Sequence, residues 1–239
     1  MAYPIPMVLT SLLDQISVTG LVTLSLLALS MAAAPVAYGD DPLDCFDLLK
    51  AARRNDTAVL RQALQTSIPV DCRNDQKQTP LLVATMHNSV DTARLLIEAG
   101  ADVNAQDDRQ DSPLLYAGAE GRTEILALIL KARPNFKVYN RFGGTALIPA
   151  CERGHVEAVH LLVKTSVDLN HVNRLGWTAL LETVILGQGG PRHQAIVRLL
   201  IEAGTDLNLP DKGGVTALQH AQRKGHRDIE VMLREAGAR

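Results

Sequence analysis

A glycine-rich stretch, Gly187-Gln188-Gly189-Gly190, has the composition most suggestive of ligand chemistry in this sequence. It precedes a helical pattern, and backbone N–H groups at the start of a helix bind anions, with Arg192 adding positive charge. The stretch has neither the preceding strand nor the lysine of a phosphate-binding P-loop. The pattern therefore favours a lengthened turn. An anion-binding or enzymatic site that uses residues 188–192 is the less favoured alternative.

Histidine and cysteine are the other residue types that could support chemistry. His155, His193 and His226 recur at similar intervals, which predicts that they lie on successive units about one helix diameter, roughly 10 Å, apart. That distance is too long for shared metal ligation at about 2 Å. The three cysteines include no Cys-x-x-Cys pair, so no zinc or redox motif is indicated. The sequence predicts no metal, no cofactor and no catalytic residue.

Cys45 and Cys72 lie close together in the sequence and could form a disulfide in an oxidising compartment, where such bonds persist. A disulfide requires Cα atoms within about 7 Å of each other. Sequence does not give this distance, so the bonded and the free state both stay open at this point.

The composition of the chain predicts a folded core and no affinity for nucleic acid. Of its 239 residues, 46% are hydrophobic, which is enough to bury a core. Lys and Arg number 24 against 26 Asp and Glu, for a net charge of -2. This balance gives no electrostatic attraction to a phosphate backbone, so nucleic-acid binding is not expected.

An internal repeat sets the elements that position these residues. Thr or Ser opens an apolar run five times, at separations of 33, 33, 33 and 38 residues: Thr79, Ser112, Thr145, Thr178 and Thr216. Each is expected to cap a short first helix, and the Pro that follows in two copies suits a first turn. Gly or Asn nine residues later is expected to end that helix in a left-handed conformation; these residues are Asn88, Gly121, Gly154, Gly187 and Gly225.

The rest of each copy completes a recognisable unit. An aliphatic pair follows, as in Leu95-Leu96, and then a tail such as Ala101-Asp102-Val103-Asn104. Each copy opens with Thr or Ser, then Pro or Ala, then Leu, and with these openings the five copies resemble the ankyrin repeat family over residues 44–239. The resemblance implies an all-α ankyrin repeat solenoid of stacked helix-turn-helix units with projecting β-turn fingers. Such hairpins bury their apolar faces only against their neighbours.

The resemblance also divides the chain into units. Residues 40–239 are expected to form the ankyrin repeat domain, with a cap-like unit at 46–78, repeats at 79–111, 112–144, 145–177 and 178–215, and a C-terminal capping repeat at 216–239. Pro149 lies near the start of its helix, where a local distortion is expected. Cys151 falls at a position that the family fills with a small buried residue. The recurring histidine is expected to support the turn between helices by hydrogen bonds.

In the ankyrin family, the finger tips and the exposed side of the first helix line a concave groove that holds partner proteins. The corresponding residues here are Arg109, Tyr116, Arg141, Phe142, Arg174, Leu175, Trp177 and Glu182. Large apolar side chains on loops are typical interface anchors, which favours Phe142, Leu175 and Trp177. The alternative for Trp177 is packing along the next finger to stiffen it. The expected function is non-enzymatic binding of another protein by a monomer.

The N-terminal segment predicts export. Residues 1–39 contain one charged side chain, Asp14, and an apolar run over 20–36. The small residues that end this segment satisfy the rule for signal-peptide cleavage before Asp40. A cleaved signal peptide predicts a periplasmic or secreted protein.

A second interpretation of the N-terminal segment is an uncleaved anchor. The uncharged stretch over 15–39 is long enough to span a bilayer, so the chain could be a membrane-tethered ankyrin scaffold. The insertion Gly189-Gly190-Pro191-Arg192-His193 resembles insertions in bacterial ankyrin proteins, and an exported bacterial protein of this family is therefore expected.

Overall fold

The computed structural model describes residues 42–239, which form a compact unit of twelve α-helices without a strand. The segment predicted as a signal peptide or anchor, residues 1–39, lies outside the described residues. The helices are α1 (Cys45–Arg54), α2 (Thr57–Leu64), α3 (Pro80–Met86), α4 (Val90–Glu98), α5 (Pro113–Ala119), α6 (Thr123–Lys131), α7 (Leu147–Glu152), α8 (Val156–Leu162), α9 (Ala179–Ile185), α10 (Pro191–Glu202), α11 (Ala217–Lys224) and α12 (Arg227–Glu235).

The helices pack as two layers. Each odd-numbered helix contacts the next odd-numbered helix, each even-numbered helix contacts the next even-numbered one, and the two helices of a pair contact each other. The side chains between the layers are mostly Leu, Ile and Ala, and the largest fully buried ones include Leu48, Leu81, Leu114, Leu147 and Leu180. This is the all-α solenoid of helix-turn-helix units that the repeat predicts, in which each unit is sheltered by its neighbours.

The predicted caps of the first helices form in four of the five copies. The hydroxyl oxygens of Thr79, Ser112, Thr178 and Thr216 accept backbone N–H groups three residues on, at 3.2 to 3.4 Å. Thr145 is the exception, because α7 begins only at Leu147 and has no side-chain cap. In the other copies the carbonyl of the capping residue accepts an N–H four residues on. Pro149 occupies that position here and has no N–H to donate.

The insertion departs from expectation in two ways. Gly187 does not adopt the left-handed conformation predicted for it, and Gly189 adopts it instead, with φ 68°. Pro191 and Arg192 belong to α10, which has 12 residues against seven to nine in the other second helices. The inserted residues thus lengthen both the turn and the helix, rather than the turn alone. Gly187 is still required, since a Cβ there would lie 2.1 Å from the Thr183 carbonyl oxygen.

The open question about the cysteines is answered by the fold. Cys45 and Cys72 form a disulfide, with Cα atoms 6.0 Å apart, that joins the start of α1 to the segment before the first finger. Cys151 is buried, as expected, and burial raises the pKa of its thiol. Within residues 42–239, the helices are all too short or too polar to cross a bilayer.

Candidate functional site

The projecting turns between successive helix pairs each begin with Asn or Asp: Asn74, Asp107, Asn140, Asn173 and Asp211. We call these residues the finger bases. In each, Oδ1 accepts backbone N–H groups from the residues two and four positions on, as Asn173 does from Leu175 and Trp177, both at 3.0 Å. A short polar side chain that bonds its own backbone fixes a tight turn. Their recurrence at the repeat spacing is the sequence signal that could have identified them.

Neighbouring fingers are bonded to each other. The Arg174 N–H donates to the Phe142 carbonyl at 2.9 Å, and the Arg174 guanidinium donates to the Arg141 carbonyl at 2.9 Å. Phe142 and Leu175 are thereby held on adjacent finger tips, where they are 50% and 47% exposed. The Arg141 guanidinium lies 4.9 Å from the centroid of the Phe142 ring. Two of the three predicted apolar anchors are therefore exposed on adjacent tips.

The third predicted anchor, Trp177, has a different environment. It is partly buried and packs against the hydrophobic core, and its backbone N–H is bonded to Asn173. This placement fits the alternative in which Trp177 stiffens the finger. The Arg174 guanidinium likewise donates its hydrogen bond to the neighbouring finger.

A cavity of about 240 Å³ lies between the tips and the first helices. We call it the groove cavity. Six of the eight predicted residues line it: Arg109, Tyr116, Arg141, Phe142, Leu175 and Glu182. It also takes in residues that the sequence pattern did not point to, among them Asp111, Glu152, Arg153 and Leu186. Counting positions along each first helix from the opening Thr or Ser could have identified those additional lining residues that lie on first helices.

The basic side chains of the groove cavity are matched by carboxylates. Arg109 and Arg141 lie 3.7 and 3.5 Å from the two carboxylate oxygens of Asp111. Burial raises the pKa of Asp111, an effect that Asp107 reinforces and the nearby arginines oppose. Arg153 forms an ion pair with Glu120. These pairs orient the arginine side chains, and two of the arginines share one carboxylate.

Glu182, in α9, forms the floor of the groove cavity and is only 5% exposed. Its Oε1 accepts a hydrogen bond from Asn173 Nδ2 at 2.7 Å. Burial raises the pKa of Glu182 to about 7, and the neighbouring Glu152 carboxylate raises it further, while the bond from Asn173 opposes the shift. The groove cavity therefore has an acidic floor below an apolar and aromatic rim.

The insertion and the recurring histidines have structural roles. His193 Nε2 lies 2.9 Å from the Glu152 carbonyl oxygen, which is the turn-supporting bond that the family resemblance implies. Gln194 Nε2 donates to the Gly189 carbonyl at 3.0 Å and holds the inserted loop. Across residues 42–239, no three His, Cys, Asp or Glu side chains are grouped to hold a metal ion.

Stacked helix pairs with bonded fingers over a lined groove define a helical repeat protein of the ankyrin type. The family model for ankyrin repeats (3 copies) matches residues 48–140 and 114–211, and the chain belongs to this family. Ankyrin repeat domains are in general protein–protein interaction modules, and they are typically non-enzymatic.

Known proteins similar to this chain include two ankyrin repeat structures and one curated relative. An ankyrin repeat domain from Acinetobacter baumannii AYE is 51% identical, with a TM-score of 0.79, over 81% of this chain and 99% of that one. The ankyrin repeat protein EF0377 is 42% identical, with a TM-score of 0.78, over 81% and 99%. A putative ankyrin repeat protein of Escherichia coli K12, YahD, is 45% identical over 58 residues, which are 24% of this chain and 29% of that relative.

Proposed function

We propose that the protein acts without catalysis, as a module that binds another protein in the groove cavity. The observation that carries this proposal is the exposure of Phe142 and Leu175, 50% and 47%, on adjacent finger tips above the cavity. Exposing such side chains to water is unfavourable, and burying them against a partner is the usual source of interface energy. Arg141, held over the Phe142 ring, adds a residue type enriched in hot spots.

A matched set of variants tests the groove. Val172 directly precedes the base of the finger that carries Leu175 and is 48% exposed, but it does not line the cavity. Wild type, Phe142→Ser with Leu175→Ser, and Val172→Ser are each immobilised and exposed to an extract of the source cells, and captured proteins are quantified by mass spectrometry. We expect the double variant to lose a protein that the Val172→Ser variant retains. Equal capture by all three contradicts a role for the groove.

The second part of the proposal is that the protein is an exported bacterial ankyrin protein. The disulfide between Cys45 and Cys72 supports export, because disulfides persist in oxidising compartments and are rare in the cytosol. The apolar run over 20–36 supplies an export signal, and two of the similar proteins are from bacteria. The mature protein would lie in the periplasm or outside the cell, as a monomer.

N-terminal sequencing of the native protein distinguishes export from tethering. A mature start near Asp40 supports a cleaved signal peptide. The second candidate, a membrane-tethered scaffold with the same groove, is favoured by the length of the uncharged stretch over 15–39. It predicts an intact N-terminus and recovery in the membrane fraction. The molar mass of the mature protein, measured by light scattering, tests whether it is a monomer.

A further inference from the structure

The carboxylates that line the groove cavity outnumber its arginines by four to three. The arginines are drawn to one side of it, where Arg109 and Arg141 share Asp111 and Arg153 pairs with Glu120. Glu152 and Glu182 also line the cavity, and across residues 42–239 neither has a basic side chain within 4.0 Å. Two carboxylates on neighbouring first helices, α7 and α9, are therefore left without a counter-ion within ion-pair distance.

Glu182 is the more informative of the two because it is only 5% exposed. Its Oε1 is held by Asn173, whose own Oδ1 is committed to the turn. Its Oε2 has no hydrogen-bond partner within the described part of the chain and is not one of the fully buried atoms there, so it is open to the cavity. Holding a largely buried carboxylate without a counter-charge is costly. The bond to Asn173 would be made equally well by a glutamine, so it does not account for the charge.

The repeat framework does not account for the charge either. The positions that correspond to Glu182, four residues after the opening Thr or Ser, are filled by Val83, Tyr116, Pro149 and His220. An acidic side chain is thus no requirement of the helix or of its packing. At this position Tyr116, Pro149 and Glu182 line the groove cavity, and only Glu182 among them is acidic.

The walls of the groove cavity suit a long cationic side chain. Phe142, Leu175 and Leu186 are exposed apolar residues at its edge, and the methylene stems of Lys and Arg pack well on such surface while their charged ends reach a polar group. A volume of about 240 Å³ accommodates one such side chain with a neighbouring residue.

We propose that Glu152 and Glu182 form a receptor for one basic side chain, Lys or Arg, of the partner protein, flanked in that partner by an apolar residue that packs on Phe142 and Leu175. This rests on the proposed function and specifies its partner by chemistry. The basic residue supplies a counter-ion for these two carboxylates, which none of the cavity's own arginines pairs with. Its ammonium or guanidinium group would bond Oε2 of Glu182 and the Glu152 carboxylate.

The test uses the mature protein and two tripeptide probes, acetyl-Leu-Lys-Leu-amide and acetyl-Leu-norleucine-Leu-amide, which differ only in the charged end. Binding is followed by NMR shifts of the Leu175 methyls and the Glu182 carboxyl carbon. We expect the lysine peptide to bind about tenfold more tightly or better, as desolvated charge pairs do. We expect Glu152→Gln with Glu182→Gln to abolish the preference and Glu157→Gln, on α8 away from the cavity, to preserve it.

Each other result overturns the inference. Equal binding of the two peptides would contradict the cation receptor but leave the groove as an apolar binding site. Absence of binding by both would also contradict it, while capture with the Phe142 and Leu175 variants still decides the proposed function independently. Calcium chloride alone is titrated as a third probe. Saturable shifts of the same two carboxyl carbons with calcium, without a preference for the lysine peptide, would assign the pair to a metal ion instead.

Discussion

The base and the tip of each finger lie within the same short turn but differ in burial and in hydrogen bonding. Asn173, at a base, is 6% exposed, and its side chain makes three hydrogen bonds. Leu175, two residues later at the tip, is 47% exposed and contributes only its backbone N–H to the turn. The turn thus separates a buried base that holds the framework from an exposed tip that does not. Tips are therefore free to vary, as the binding function we propose requires.

The disulfide, which precedes the first finger base, gives the largest expected effect on stability. It closes a loop of 27 residues between Cys45 and Cys72, and the loss of such a constraint costs about 3.5 kcal/mol of unfolding free energy by loop-closure entropy. We expect a reductant to lower the urea midpoint of the wild-type protein. The Cys45→Ser, Cys72→Ser variant should be equally destabilised and insensitive to reductant. A wild-type midpoint that is unchanged by reductant would show that the thiols are free in solution.

Asn173→Ala is the next largest effect and tests a base directly. The variant loses two bonds to the backbone of its own finger and leaves the buried Glu182 without a donor. Removing hydrogen bonds to buried groups of this kind costs about 2 kcal/mol. Leu175→Ala, at the tip of the same finger, serves as the control and should change the thermal midpoint little. Equal destabilisation by the two variants would abolish the distinction between base and tip.

The Glu182→Gln variant tests the groove-facing carboxylate through the pH dependence of folding stability. The pKa of Glu182 is raised to about 7 from an ordinary value of 4.5, so the folded state binds the proton more tightly than the unfolded state. Its ionisation therefore destabilises the fold: the penalty is absent below pH 4.5, grows up to pH 7 and is complete above it.

The glutamine variant should be more stable than wild type above pH 7 by about 1 kcal/mol, a value reduced because the cavity is open to water. Below pH 4.5 the two should unfold alike. Chemical denaturation across this pH range measures the difference. A stability gain that does not depend on pH would point to packing and not to charge.

Phe142→Ala should have the smallest effect on folding, within about 0.5 kcal/mol, because its ring is half exposed. Trp177→Ala provides the contrast, since Trp177 packs against the core and its loss leaves a void. Differential scanning calorimetry of the two variants gives the comparison. A larger loss of stability for Phe142→Ala than for Trp177→Ala would reverse the roles we assign to tip and framework.

Features that depend on residues close in sequence were predicted well. The caps at Thr79, Ser112, Thr178 and Thr216 rest on hydrogen bonds within one helical turn. The failure at Thr145 has the same local origin, because Pro149 lacks the N–H that closes the first turn. The left-handed residue of the insertion was misplaced, since the contact of Gly187 with Thr183 and His193 leaves Gly189 to make the reversal.

The candidate site was only partly predictable. Family register placed six residues that line the groove cavity, because finger tips and first-helix positions recur in every repeat. It left two roles open for Trp177, which packs against the core, and did not indicate that Glu182 is buried beside Glu152. Those environments depend on how one repeat lies against the next, and side chains 30 residues apart in sequence meet there.

The sequence by itself determined the period, the capped helix pairs and the layers, because these follow from hydrogen bonds and apolar spacing over a few residues. Only the tertiary structure decided which charges are paired, that Cys45 meets Cys72, and that two carboxylates share one cavity. Stacking fixes the rotation of each repeat on its neighbour, and this rotation sets the distances between side chains that the chain order leaves undetermined.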